Sequence, residues 1–171
     1  MPSNGAERDE GQPLIVPNDH FCFGCGRLNA RGLQLEFAFT PENDAVWAPF
    51  TPCREHEGFA AIVHGGIVTA VLEEVMGWAL FARGIWAVTA TLEVKFRRPV
   101  EVNVATRGIG RIVTPGSRTI RVSGELRRER DDLLLAEATG TFVRVPESLA
   151  QAWRDRYLPK TGIDESFGVS V

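Results

Sequence analysis

Residues 65–83 read GGIVTAVLEEVMGWALFAR, and this stretch decides the fold. At helical spacing its apolar side chains fall on every side of the wheel: Ile67, Val68, Val71, Leu72, Val75, Met76, Trp78, Leu80 and Phe81. A surface helix keeps one polar face, whereas a helix that is apolar all round must be buried all round. The rest of the chain has to supply the cover.

Outward from that helix the sequence predicts strands. Leu33, Leu35, Phe37 and Phe39 alternate with Gln34, Glu36, Ala38 and Thr40, a half-buried strand ended by Pro41 and Asn43. Residues 45–50, AVWAPF, suit a short partner strand. In 89–98, Ala90, Leu92, Val94 and Phe96 fall on one face, and Thr89, Thr91, Glu93, Lys95 and Arg97 on the other, before Pro99 ends the ladder. Residues 101–113 are strand-like, but the apolar parity slips between Val104 and Ile109, which predicts a bulge near Gly108 or Gly110. Thr114, Pro115 and Gly116 make a turn. Ile120, Val122 and Leu126 share a face of the next strand, and Asp131 and Asp132 turn the chain into a last strand over 133–145. Pro146 opens a short amphipathic helix that runs to about Tyr157. With about six strands and one greasy helix, the predicted class is α+β, an antiparallel sheet curled around the helix. One sheet cannot cover so much apolar surface, so a partner subunit is expected to cover the remainder.

The 171 residues and 18.8 kDa suit one domain. The expected division is an irregular arm over 1–19, a domain over 20–145, and a short helix with a tail over 146–171. A composition 44% hydrophobic and 24% charged excludes wholesale disorder. A net charge of −3 argues against a dedicated nucleic-acid binder. No apolar run reaches the roughly 18 residues of a membrane span, and the first residues lack the basic and apolar regions of a signal peptide. Three cysteines are too few for a disulfide framework, so a cytoplasmic protein without membrane or nucleic-acid partners is expected. The charge is unevenly spread, for residues 89–130 carry ten basic and four acidic side chains. That excess reads either as solvated strand faces or as a site for a small polyanion such as a nucleotide-bearing cofactor.

Glu73 and Glu74 interrupt the apolar helix, about 100° apart on the wheel. Either both lie on one exposed stripe, or at least one points into an apolar or interfacial space. Desolvated carboxylates of the second kind concentrate at functional sites. At the helix start, His64, Gly65 and Gly66 bring free N–H groups and the positive end of the helix dipole to where a ligand can approach closely. An oxyanion developing on a thioester or ester carbonyl suits that position; His64 reads first as a capping or packing residue. Gly65 and Glu73 are separated by about 12 Å of helix axis, too far for both to serve one carbonyl. Two antiparallel copies across a two-fold axis set Gly65 of one subunit against Glu73 of the other. If both residues are catalytic, the enzyme is an obligate dimer with two sites.

Three segments carry a resemblance: CFGCGRLNARGLQLEF (22–37), GFAAIVHGGIVTAVLEEVMGWAL (58–80) and TATLEVKFRRPV (89–100). In this order they resemble the hotdog-fold acyl-CoA thioesterases of the phenylacetate-degradation type, over roughly residues 20–145. The resemblance implies a sheet wrapped around a central helix, dimerised and often doubled to a tetramer, that hydrolyses an acyl-CoA to free acid and coenzyme A. It places the acidic group, as nucleophile or general base, on Glu73, where many relatives carry Asp. It places the oxyanion N–H on Gly65 with His64 beside it, and an assisting hydroxyl on Thr89, with Thr91 as second candidate. Many relatives carry Asn in the loop before His-Gly-Gly, and here His56 or Glu57 stands in that region. Lys95, Arg97, Arg98, Arg111 and Arg118 become candidates for the coenzyme A phosphates, Gly66 for a contact at the helix start, and Trp78 for the border of the acyl channel. A thioester carbonyl is activated and its thiolate leaves readily, so a carboxylate and an oriented N–H dipole suffice. No cofactor beyond the coenzyme A of the substrate is expected. Two other readings share the fold: an acyl-CoA-binding protein without turnover, and an enoyl-CoA hydratase pairing His64 with Glu73, for which the spacing along one helix is wrong.

His20, Cys22 and Cys25, with the distant Cys53, can be drawn as a zinc site. No second Cys-x-x-Cys accompanies them, and the motif reads instead as small side chains for burial, with no metal expected.

Overall fold

A computed structural model describes residues 11–14 and 19–158. Residues 1–10 and 15–18 of the expected arm and residues 159–171 of the tail lie outside the described residues. The central helix, α1, spans Gly65–Phe81. Before it come five short strands: β1 (Gln12–Pro13), β2 (Ala38–Thr40), β3 (Ala45–Phe50), β4 (Glu57–Phe59) and β5 (Ile62–Val63). After it come four longer ones, β6 (Ala87–Phe96), β7 (Thr106–Thr114), β8 (Thr119–Arg128) and β9 (Leu133–Arg144), then helix α2 (Glu147–Tyr157). Seven strands form one antiparallel sheet in the order β1-β2-β3-β7-β8-β9-β6, and β4 and β5 pair separately. The expected antiparallel sheet around one long helix is the architecture found.

The sheet grips α1 through missing side chains. At Gly110 a Cβ would lie 2.1 Å from the Val75 carbonyl oxygen, and at Gly108 3.0 Å from Val75 Cγ1. At Gly124 and Gly140 a Cβ would meet Met76 at 2.9 and 2.8 Å. Glycine at these inward positions of β7, β8 and β9 lets the helix settle into the concave face, where Val71, Leu72, Val75 and Met76 are fully buried. Each such side chain contributes about 1.5–3 kcal/mol by leaving water. This corrects the bulge expected near Gly108 or Gly110. Pairing with β8 is regular from Thr106 to Ile112, and the register shifts only between Ile112 and Thr114. The apolar parity slips because two inward positions are glycine. Strand β7 also begins five residues later than expected. Glu101 instead bridges to Ile62 and a turn follows at Val102 and Asn103, with Asn103 at φ +62° and its N–H bonded to the Pro52 carbonyl at 2.7 Å.

The strand expected over 33–40 shrinks to Ala38–Thr40. Leu35 and Phe37 do point inward and Gln34 and Glu36 outward, as the alternation requires. Gln34, however, takes φ +51°, which no continuous strand accommodates. The Leu33 and Leu35 N–H groups turn instead to the Phe23 and Gly24 carbonyls, at 2.7 and 2.9 Å. That exchange ties the loop carrying Cys22 and Cys25 to the domain.

Two features position the site. First, α1 is not covered all round. Its sheet-facing side is buried, but Gly66, Ala70, Glu73, Glu74, Gly77 and Phe81 retain partial or full exposure along one arc. Second, β6 is an edge strand of ten residues with Val88 and Phe96 about half exposed. A long apolar edge with unpaired backbone groups is a template for another chain.

Candidate active site

Glu73 and Glu74 leave α1 on its uncovered arc and enter a cavity of about 320 Å³. Trp78, Phe81, Trp86, Trp153 and Tyr157 supply its aromatic lining, with Cys22 and Cys25 at one side. Trp78 stacks on Phe37 at 4.6 Å and meets Phe81 edge-on at 4.6 Å, while Phe81 meets Trp86 at 5.2 Å. Helix α2 closes the cavity through Trp153, 6.1 Å from Trp86, and Tyr157, edge-on to His20 at 5.5 Å. Trp78 therefore borders the space beside the carboxylates. The contribution of α2 was not legible beforehand, because nothing in 146–157 says which way its aromatic residues fold back.

The two carboxylates have different partners. Glu73 Oε1 accepts a hydrogen bond from Thr89 Oγ1 on β6. Strict alternation puts Thr89 and Thr91 on the same face, and the structure separates them. The β6–β9 register shifts between Thr89 and Thr91, leaving Ala90 as the extra residue of a bulge. Thr89 thereby joins Leu92 and Val94 on the side facing α1, while Thr91 is exposed beside Glu93. The chain thus distinguishes between the two candidate hydroxyls, and only Thr89 reaches the helix carboxylate.

Glu74 accepts a hydrogen bond from Trp78 Nε1 at 3.2 Å, and both of its oxygens lie 3.8 Å from Cys22 Sγ. Burial, reinforced by the Cys22 sulfur, pushes the Glu74 carboxyl up to about 7. The Cys25 thiol bonds to Cys22 and, with the Cys25 and Gly24 N–H groups, lowers the Cys22 thiol to about 5; Cys25 itself, bonded to Cys22 and buried, is pushed up. Gly24 packs so closely that a Cβ there would lie 2.1 Å from Glu74 Oε2. Cys53 lies elsewhere, beside His56, so the set of His20, Cys22, Cys25 and Cys53 is not brought together.

The helix start opens on a different cavity, of about 610 Å³, lined by His64, Gly65, Phe96, Arg97 and Arg98 among others. The Gly66 N–H donates to His64 Nδ1 at 2.9 Å, so His64 is the helix cap and Gly66 has no free amide to offer a ligand. Among the described residues the Gly65 N–H has no hydrogen-bond partner, which leaves it the available donor. Gly65 and Glu73 thus face separate cavities of one chain, as the helix rise requires.

Of the basic candidates, Arg97 and Arg98 line the Gly65 cavity. Arg97 is held by Glu137, at 2.5 and 3.2 Å, and Lys95 lies 3.6 Å from Glu93. Arg118 is not part of this group. It bonds through its carbonyl to the Arg144 N–H, whereas Arg97 and Arg98 bond to Leu135. Nine residues of β9 separate those two places, about 30 Å of strand. His56 and Glu57 do not reach either cavity's lining. His56 accepts the Cys53 N–H at 3.1 Å and Glu57 the Ala61 N–H at 3.1 Å, so both brace the loop before α1.

The thioesterase superfamily model matches residues 60–135, the segment from the start of the His-Gly-Gly loop to the last strand. Among solved structures, a thioesterase superfamily protein, RHA08564, aligns at 24% identity and TM-score 0.65, over 69% of this chain and 60% of that one. This chain therefore spans less than two thirds of that protein's length. A phenylacetic acid degradation-related protein from Ralstonia eutropha aligns at 26% identity and TM-score 0.58, over 65% of this chain and 85% of that one. The protein smu.793 from Streptococcus mutans, bound to acetyl CoA, aligns at 18% identity and TM-score 0.60, over 65% and 88%. Among curated proteins none matches the sequence. The resemblance read in the sequence is thus to the thioesterase superfamily, and the fold is the hotdog fold.

Proposed function

We propose that this hotdog-fold protein is an acyl-CoA thioester hydrolase working as a homodimer or a dimer of such dimers. The observation that carries the proposal is the Glu73 carboxylate, held by the Thr89 hydroxyl inside an aromatic cavity. A carboxylate so held keeps one oxygen directed and its second free to attack a carbonyl or to take a proton from water. The Gly65 N–H, without a partner among the described residues, is suited to receive the oxyanion.

These groups face different cavities in one chain, so productive geometry requires a second copy. The exposed edge of β6 offers the means, and it carries Phe96, whose ring would lie 3.3 Å from a Cβ at Gly65. Pairing along that edge sets the helix start of one subunit towards the carboxylate arc of the other. Arg98 and Arg97, beside Gly65, are placed to meet coenzyme A phosphates, in keeping with the acetyl CoA carried by the S. mutans relative. The aromatic lining favours an aryl or medium-length acyl group. The hydratase reading finds no support, since His64 caps the helix and lines the other cavity.

The test is release of free thiol from a panel of chemically diverse acyl-CoA esters, followed with a thiol-trapping dye. Turnover of at least one ester is expected. Glu73→Ala should lower kcat by about 10²–10⁴, the range of a positioned acid–base group. Tight acyl-CoA binding with no thiol released from any ester would establish the binding protein instead.

A further inference from the structure

The thioester chemistry uses Glu73 and leaves its neighbour unexplained. Cys22 Sγ, Cys25 Sγ and a Glu74 oxygen all lie within 4.8 Å of one another. We propose that Cys22, Cys25 and Glu74 bind a thiophilic divalent cation of the zinc class, which fastens the Cys22–Cys25 loop to α1 and keeps one coordination position open to the aromatic cavity.

The spacing fits. With zinc–sulfur bonds of about 2.3 Å and zinc–oxygen bonds of about 2.0 Å, tetrahedral geometry sets sulfurs about 3.8 Å apart and a sulfur about 3.5 Å from an oxygen. Cys22 Sγ lies 3.8 Å from each Glu74 oxygen, a few tenths of an ångström from ligating distance for that pair, and Cys25 Sγ lies within 4.8 Å of both ligand atoms. Two thiolates with a carboxylate select a borderline-soft metal over Mg²⁺ or Ca²⁺, which prefer oxygen alone.

The surroundings suit the same reading. Trp78 Nε1–H holds Glu74 Oε1 from behind, the kind of outer hydrogen bond that orients a ligating carboxylate. The loop turns back on itself through the Gly26 N–H to Cys22 carbonyl bond at 3.0 Å, bringing both sulfurs to one side. Gly24 and Gly26 have no room for a side chain, since a Cβ would lie 2.1 Å from Glu74 Oε2 and 2.4 Å from the His20 carbonyl oxygen. Three protein ligands leave a fourth position for water or another small ligand, and all three residues line the cavity that also holds Glu73.

The test uses the full chain carrying Cys53→Ser, so that Cys22 and Cys25 supply the only thiols. Chelator-treated, reduced protein receives an equimolar amount of Co²⁺ and, separately, of Zn²⁺. The expected results are a thiolate-to-cobalt charge-transfer absorption and protection of both thiols from alkylation by Zn²⁺. Cys22→Ser should abolish both, and Glu74→Gln should weaken binding by about tenfold or more. Should the buried Cys25 resist substitution, the exposed Cys22 carries the test alone. The proposal is overturned if natively folded protein shows no charge-transfer absorption, if both thiols alkylate equally fast with and without Zn²⁺, or if Glu74→Gln binds as tightly as its parent. None of these readouts depends on thioester turnover, so an inactive protein that binds the ion and an active one that does not are told apart.

Discussion

Thr89 on the edge strand and Glu73 in the middle of the helix are joined by a hydrogen bond that a single extra residue, Ala90, makes possible. A hydrogen bond to a charged group is worth about 1.5–3 kcal/mol. If Glu73 is the reacting carboxylate, Thr89→Ala should lower kcat for thiol release by roughly ten- to a hundredfold. Thr91→Ala, on the exposed side of the bulge, should change it less than about twofold. Equal losses in the two variants would mean that the bulge does not direct the hydroxyl.

The contact between β7 and α1 leaves no volume at Gly110. Gly110→Ala forces a methyl group against the Val75 carbonyl and should cost about 3 kcal/mol, the upper end for overpacking. Gly77→Ala, on the same helix, meets nothing within 4 Å and should stabilise by about 0.5–1 kcal/mol, since glycine is unfavourable inside a helix. Urea unfolding of both variants checks the pair, and opposite signs are expected.

The proposed dimer forms along β6. Sedimentation should give a mass of at least twice the 18.8 kDa chain. Val88→Asp places a charge on the exposed edge and should shift the population towards single chains, with thiol release falling in the same proportion. A monomeric variant with full activity would show that one chain completes its own site.

His56 must be neutral to accept the Cys53 N–H through Nδ1. Burial holds its pKa below the usual 6.5, against an opposing pull from Glu55. The unfolded chain therefore takes up this proton first as the pH falls. The stability that His56 contributes is complete above pH 6.5 and is lost on acidification through the lowered folded value. His56→Gln should flatten that part of the Tm profile between neutral and mildly acidic pH. Parallel profiles for the two chains would rule the histidine out as the cause.

Much of this arrangement was legible in the sequence. The apolar wheel of 65–83 announced the central helix, and its two carboxylates marked the arc that borders the aromatic cavity. The shared apolar face of Ile120, Val122 and Leu126 found β8, and the strands expected over 45–50 and after the Asp131-Asp132 turn match β3 and β9 closely. What escaped reading depends on other parts of the chain. Gly108 and Gly110 resembled a bulge because an inward glycine leaves no apolar mark on the pattern. The positive φ of Gln34 ends a strand that its neighbours predict. Thr89 and Thr91 stood as equals until the register with β9 was known. Glu74 stood beside Glu73 as a candidate desolvated carboxylate, but its partner Cys22 could not be read, since that residue arrives from some fifty positions upstream. Arg118 joined the basic group only because sequence proximity hides the length of the strands between.

The closure of the aromatic cavity by the last helix has a wider meaning. Gly65, Glu73 and Thr89 all lie within residues 60–135, the part of the chain that matches the thioesterase superfamily model. His20, Cys22, Cys25, Trp153 and Tyr157 lie outside it, at the two ends of the described chain. The cavity is thus enclosed partly by the segment that matches the superfamily model and partly by residues beyond both its ends. What the chamber admits is therefore set in part by Trp153 and Tyr157, whose positions depend on how the last helix folds back rather than on the segment around Gly65, Glu73 and Thr89.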